Sequence, residues 1–569
     1  MGPLGVGFFA ALATRRDRCL IKPLGMGAAF CSFCQAMRNK VVSSKDAIAL
    51  IREGDTVCTS GFVGTGTPDG LLHALEQRYL QTQSPKGLTL VFAAGQGDGK
   101  HRGLNRLAHE GLLRRVIGGH WGLIPKLGKL ALDDKIEAYN LPQGCISHLY
   151  RDIAAGKPGV ITKVGLHTFV DPRLQGGKVN ASAKQDLVRL LELDGEEWLY
   201  YKSFPIHVAL LRGTTADPNG NITMERESLI LDNLAMAQAV KNSGGVVIVQ
   251  VERLAAVGSL HPRQVVIPGI LVDCVVLSTP EFHVQTYATE YNPAFAAEIR
   301  IPTDRIEPMP LEIRKVIARR ASFELSLDAV CNLGIGMPEG VSAVAREEKL
   351  LEYLTLTTEP GVVGGMPASG LDFGAAVNTD AIIAQNQQFD FYDGGGLDLS
   401  VLGMAECDAS GNINVSRFGS RLAGAGGFIN ISQTARRLVF VGTFTTDGLD
   451  VSVRDGKLTI LREGRSRKFV KQVEQITFSG AYAAQKGQQV FYVTERCVFQ
   501  LTSEGLLLLE IAPGIDLARD ILAHMDFVPI VRSPKLMDAR IFRAEPMDLR
   551  SDLLASQRRQ TDCPNTETT

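Results

Sequence analysis

The chain has 569 residues, 60 Lys and Arg against 61 Asp and Glu, a net charge of −1, 45% hydrophobic residues and 21% charged ones. That length exceeds one ordinary core and predicts two large domains with extensions. The balanced charge gives no electrostatic footprint for nucleic acid or an anionic membrane surface, and no apolar run reaches the ~18 residues that membrane insertion as a helix requires.

Residues 1–40 carry Arg15, Arg16, Arg18, Lys22, Arg38 and Lys40, with Asp17 as the only acid. An Arg-rich, acid-poor extension reads as an organelle transit peptide, so a mitochondrial address is expected, with the cytoplasm as the alternative. Cys31 and Cys34 have CxxC spacing but no second pair. The ten cysteines are scattered, and Cys58, Cys274 and Cys331 sit in apolar strand-like runs, which suits reduced thiols better than a disulfide framework.

Self-comparison shows an internal repeat. Asp55 to Gly70, with Gly61, Gly64, Gly66 and Pro68, is echoed by Asp328 to Gly340, with Gly334, Gly336 and Pro338. Each copy reads as a short strand, a glycine loop and a helix. Downstream, Asp217 to Ile222 matches Asp408 to Ile413, and an apolar run follows each, Val246 to Val251 and Leu438 to Phe444. Two related α/β domains are therefore expected, over 41–310 and 322–550, the first with the longer insertion. Pro302, Pro308 and Pro310 mark the junction. The polar tail from 551 to 569 is expected to be disordered.

In the second copy, Asp328 to Leu333 is a short strand. Val341 to Leu350 has a helical apolar face, and Tyr353 to Thr358 is a run of β-formers. Strand, helix, strand makes a βαβ unit, so the two strands are expected to be parallel. Ligands of open α/β sheets bind beyond the carboxyl ends of strands. The Gly334–Gly336 loop leaves one such end and Glu359 leaves the other. The loop and the helix start after Pro338 offer backbone N–H groups to an anion such as phosphate. Such a loop alone is equally a tight turn. A carboxylate at the end of a buried strand is costly without a partner or a task, and taken by itself Glu359 reads more simply as a solvated strand-end acid. Gln96 follows the strand Leu88 to Ala94 and holds the same topological place in the first half.

The string Thr358-Glu359-Pro360-Gly361-Val362-Val363-Gly364-Gly365-Met366-Pro367 resembles the catalytic-glutamate motif of family I CoA-transferases, in their single-chain acetate/propionate type. Ala94 to Asp98, Gly118-Gly119-His120-Trp121-Gly122, Gly334 to Gly340 and Gly424 to Asn430 support the resemblance, which covers about residues 41 to 550. It implies two homologous open α/β CoA-transferase domains in one chain, with the active site at their interface. It further implies Glu359 as nucleophile, Gln96 and backbone N–H groups of Gly426–Gly427 as oxyanion donors, and CoA contacts at Gly334, Gly336, Pro338, Gly426 and Gly427. Coenzyme A would be a substrate, with no permanently bound cofactor and no metal. The partners implied are acyl-CoA and short carboxylic acids such as acetate, propionate, butyrate or acetoacetate, with a place in short-chain fatty acid or ketone-body metabolism, and a homo-oligomer. His120, in a glycine-rich turn, reads as structural or pocket-lining.

Three other readings compete. An acyl-CoA hydrolase would use the same glutamate and hand the thioester to water. A Rossmann-type oxidoreductase is prompted by the glycine loops, but Pro68 and Pro338 break its fingerprint. A non-catalytic binding protein would not need Glu359, Gln96 and both loops intact.

Overall fold

A computed structural model describes residues 39–302 and 307–561. The Cys31–Cys34 pair and the basic extension up to Arg38 lie outside them. Among the described residues no helix is long and apolar enough to cross a membrane.

The first half builds a nine-stranded sheet. Its parallel strands are β1 (Thr56–Thr59), β2 (Leu88–Phe92), β3 (Leu113–Gly118), β4 (Glu137–Asn140), β5 (Val208–Ala216), β6 (Val246–Leu254) and β7 (Cys274–Leu277). They lie in the order β7-β6-β5-β1-β2-β3-β4. Alternate residues feed two cores, as a period of two demands. Val57, Leu90, Phe92 and Leu210 enter one, while Cys58, Val91, Ala209 and Leu211 enter the other. Every residue of β5 is buried, as in a parallel strand covered on both faces.

The second half repeats the pattern with β8 (Val330–Leu333), β9 (Thr355–Thr358), β10 (Leu399–Gly403), β11 (Arg437–Val441) and β12 (Gln489–Val493). Their parallel order is β9-β8-β10-β11-β12, the counterpart of β2-β1-β5-β6-β7. The expected βαβ unit is present. Val341, Val344, Ala345 and Leu350 pack its helix side into the core. The longer first-half insertion is β3, β4 and a separate three-stranded sheet, Gly159–Thr162, Val188–Leu193 and Glu196–Lys202.

Two boundaries differ from the sequence expectation. The helix Ile313–Ser322 belongs to the second half, with Val316, Ile317, Ala318 and Ala321 in its core. Its basic residues are paired there: Arg320 with Glu324 and Glu510, Lys315 and Arg319 with Glu347. Pairing lets these cations be buried where an unpaired charge would force a surface linker. The tail is helical over Leu549–Thr561. The Glu348 carboxylate accepts the N–H groups of Met547 and Leu549 at its start, and Leu549 is buried in the second core. That anchor offsets the poor helix signal of the polar segment. Residues from 562 onward lie outside the described part.

The halves join into one compact unit through backbone contacts. The N–H groups of Trp121 and Gly122 donate to the Ala423 carbonyl, and Gly426 N–H donates to Gly119. His120 and Gly424 form an antiparallel bridge. The two glycine-rich strings, Gly118 to Gly122 and Gly424 to Asn430, are thus the two sides of one seam.

Candidate active site

Glu359 stands at the tip of a tight hairpin at the carboxyl end of β9. The chain turns at Pro360-Gly361 and pairs back at once, Thr358 with Val362 and Thr357 with Val363. Gly361 has φ +120°, and a β-carbon there would lie 2.0 Å from the Ile383 carbonyl oxygen, so only glycine makes this turn. Beneath it lies a polar floor. Tyr392 donates to the Thr357 hydroxyl at 2.7 Å, and Asn332 Nδ2 reaches the Thr357 carbonyl and Tyr392 Oη at 3.4 and 3.3 Å.

A cavity of about 350 Å³ opens above the carboxylate, between the halves. Its first-half wall is Phe62, Val63, Gly95, His120, Leu123 and Gln143, and the second half supplies Gly334, Ile335, Phe373, Met404, Gly427 and Ile431 among others. No Lys or Arg lines it among the described residues. Glu359 keeps part of its surface toward this space. Burial nonetheless pushes its pKa up to about 7, against the pull of its backbone N–H and the Asn332 amide. His120 is held down to about 4 by burial and by Arg421, so it faces the cavity neutral.

The expected site residues divide. Glu359, Gly334, Gly426 and Gly427 line the cavity, whereas Gly336, Pro338 and Gln96 do not. Gln96 is fully buried and its amide donates to the Thr59 carbonyl at 2.8 Å, locking β1 to the loop after β2. The two glycines of the Gly426–Gly427 turn are not equivalent either. Gly426 N–H is taken by Gly119, while Gly427 N–H has no acceptor among the described residues. At the helix starts after the two glycine loops, Asp69 and Glu339 are paired with Arg106 and Arg314 at 2.9 Å each.

Residues 41–278 match the family model described as Coenzyme A transferase. The caffeate CoA-transferase of Acetobacterium woodii is 49% identical over 510 residues, 88% of this chain and 97% of that protein. The acetate CoA-transferase YdiF of Escherichia coli (strain K12) is 44% identical over 510 residues, 89% of this chain and 95% of that one. The chain belongs to the coenzyme A transferase family.

Solved structures agree. The acyl-CoA transferase YdiF apoenzyme from E. coli O157:H7 superposes with a TM-score of 0.86 at 42% identity, covering 93% of this chain and 99% of that one. The structure of the same enzyme described as a thioester complex with CoA gives 0.85 at 43% identity, covering 90% of this chain and 97% of that one. This coenzyme A transferase is therefore a two-domain α/β enzyme of the single-chain type. The mitochondrial address is overturned, and the ketone-body setting finds no support. The relatives at 44–49% identity are bacterial, whereas the mouse mitochondrial succinyl-CoA:3-ketoacid transferase 2B is 27% identical over 64% of this chain.

Gln143 is the cavity residue that sequence reasoning passed over. It opens the helix Gln143–Ala154 after Pro142, its N–H donates to the Gly426 carbonyl at 2.9 Å, and its side-chain amide lies at the cavity wall. The only sequence signal was a Pro-Gln-Gly start to a helix, which is common at turns.

Proposed function

We propose that this coenzyme A transferase moves CoA between a short acyl-CoA and a free monocarboxylic acid, through a thioester on Glu359. One observation carries the reading: among the described residues the only acidic side chain in the cavity wall is Glu359, desolvated and facing the space between the halves. Burial that raises a carboxylate's pKa leaves its anion poorly solvated, hence a better nucleophile toward a thioester carbonyl.

The Glu359 carboxylate attacks the acyl carbonyl, the C–S bond breaks, and CoA thiolate leaves a mixed anhydride. The thiolate then attacks the glutamyl carbonyl and expels the first acid as its carboxylate, leaving glutamyl-CoA. The acceptor acid runs these steps in reverse. Charge gathers on a carbonyl oxygen at each step. The free Gly427 N–H is the donor suited to hold it, one such donor being worth roughly 10²–10³ in rate. The thioester complex solved for the 43% identical relative supports this route.

The wall of Phe62, Val63, Leu123 and Phe373 suits the hydrocarbon part of a small acid, and it holds no cation for a second carboxylate. Purified protein given acyl-CoA and isotopically labelled propionate should return labelled propionyl-CoA. Release of free CoA with no label in the thioester would instead make the protein a hydrolase.

A further inference from the structure

Gly427 is gripped from the first half of the chain. The helix Gln143–Ala154 leaves its first N–H groups without intrahelical partners, and two of them reach across to the second half. Gln143 N–H donates to the Gly426 carbonyl at 2.9 Å, and Gly144 N–H donates to Asn430 Oδ1 at 3.2 Å. These acceptors flank Gly427, one residue before it and three residues after it. Gly144 permits the approach, since a β-carbon there would lie 2.4 Å from Asn430 Nδ2.

Asn430 is fully buried on the helix Phe428–Thr434, for which Gly427 is the N-cap. A helical side chain leans back over the preceding turn, so Asn430 stands over the turn of Gly427. Its Nδ2 donates to both oxygens of Asp393 at 3.0 Å. Asp393 ends the helix Gln385–Asp393. On the same face, four residues earlier, Phe389 packs beneath Gly427.

Resting on the transferase reading, we propose that Asn430 is a positioning residue: aimed by Asp393, it holds the Gly427 N–H against Glu359.

The polarity of the groups fixes the amide. A carboxylate only accepts, so Asp393 takes the Asn430 NH₂. A backbone N–H only donates, so Gly144 takes the carbonyl of the same amide. Neither end tolerates a flip. Burial pushes the Asp393 pKa up to about 6, against the pull of His148 and Asn430, which leaves it ionised at neutral pH. His148 lies between Asp393 and Asp390, at 3.7 and 3.1 Å. The helix Gln143–Ala154 is thus tied to the second half at Gly144 and again about one turn on at His148. The hold matters because the reacting carbonyl must meet carboxylate and donor together. A misplacement of about 1 Å costs on the order of 10²-fold in rate.

The test follows the Glu359–CoA adduct after rapid mixing with an acyl-CoA and no acceptor acid. The fraction of chains that take up CoA reports folding, and the speed of uptake reports donor placement. Asn430→Asp sets two carboxylates against each other, and uptake should slow by at least about 10-fold with the fraction unchanged. Adding Asp393→Asn exchanges donor and acceptor: the amide at 393 donates to the carboxylate at 430, which still accepts the Gly144 N–H. The reversed pair should recover most of the lost rate. An unslowed Asn430→Asp, a fall in the fraction alone, or no recovery in the double variant would each overturn the proposal. If Asn430→Asp does not fold, Asn430→Ala removes the amide without adding charge. Slower uptake at full fraction then supports the positioning role, and failure of this variant to fold as well would make Asn430 a folding residue only. An unsubstituted protein that takes up CoA elsewhere than on Glu359, or not at all, would instead bring down the transferase reading on which the proposal rests.

Discussion

Gly427 and Glu359 are in such close apposition that a β-carbon on Gly427 would lie 3.4 Å from Glu359 Cγ. It would also lie 3.3 Å from the Phe389 ring and 3.4 Å from Ile431. The Gly427 φ of −80° is open to any residue, so space and not backbone freedom demands glycine here. The same residue offers the free N–H. Gly427→Ala is therefore expected to fold, at a cost of about 1–3 kcal/mol from overpacking, and to lose at least roughly 10-fold in kcat by displacing carboxylate from donor. Steady-state kinetics and a thermal melt together read both effects.

Glu359 ties activity to pH. Its folded pKa of about 7 lies above the ordinary 4.5. Between those values the folded protein holds a proton that the unfolded chain releases. The group's stabilising contribution is thus full below about pH 4.5 and is lost as pH rises through about 7. The loss is on the order of 3 kcal/mol. Glu359→Gln should abolish transfer yet melt higher than the unsubstituted protein at pH 8, with the gap closing toward pH 4.5. For the unsubstituted enzyme kcat/KM should be half-maximal near pH 7 and climb to a plateau at higher pH as the carboxylate forms. A melt of Glu359→Gln no higher at pH 8 would deny the carboxylate its buried, strained state.

Gln143 and Gln96 should part ways. Gln143→Ala removes a side chain from the cavity wall beside the Gly426–Gly427 turn and is expected to lower kcat by at least roughly 10-fold. Gln96→Ala removes a buried bond to Thr59 and leaves that carbonyl unsatisfied, a cost of about 1–3 kcal/mol in stability. Its kcat should change far less. Parallel kinetics and urea unfolding of the two variants distinguish these roles.

The cavity wall carries no Lys or Arg among the described residues, so a second carboxylate would enter without a counter-charge. Succinate and glutarate should accept CoA at least about 10-fold less efficiently than propionate or butyrate, judged by kcat/KM. Equal efficiency would require a cation to reach the cavity from elsewhere.

The repeat and the parallel strand pairs were legible in the sequence because strand periodicity and turn residues are local signals, whereas Glu359 stood out through the resemblance of its surrounding string to a family motif. Gln143 was not legible. Its position is created by Gly426, far along the chain, and nothing local marks a glutamine for that contact. Gln96 shares the topological place of Glu359, but place does not fix direction. Its side chain turns inward to Thr59, whereas Glu359 is carried outward by the Pro360-Gly361 hairpin. At Gly336 and Pro338 glycine spacing says nothing about Arg314, which is distant from the loop in sequence and pairs with Glu339 at that helix start. The basic run Arg314 to Arg320 reads locally as a junction for the same reason: Glu347 and Glu510, which neutralise Lys315, Arg319 and Arg320, are distant in sequence.

On the proposed route Glu359 becomes covalently joined to CoA. Incubating the protein with an acyl-CoA in the absence of acceptor, followed by mass analysis of its peptides or by borohydride trapping, tests it directly. A CoA adduct, or reduction to the corresponding alcohol, is expected only on the peptide holding Glu359 and should be lost on adding a carboxylic acid. An adduct on another peptide, or turnover with no adduct, would contradict it.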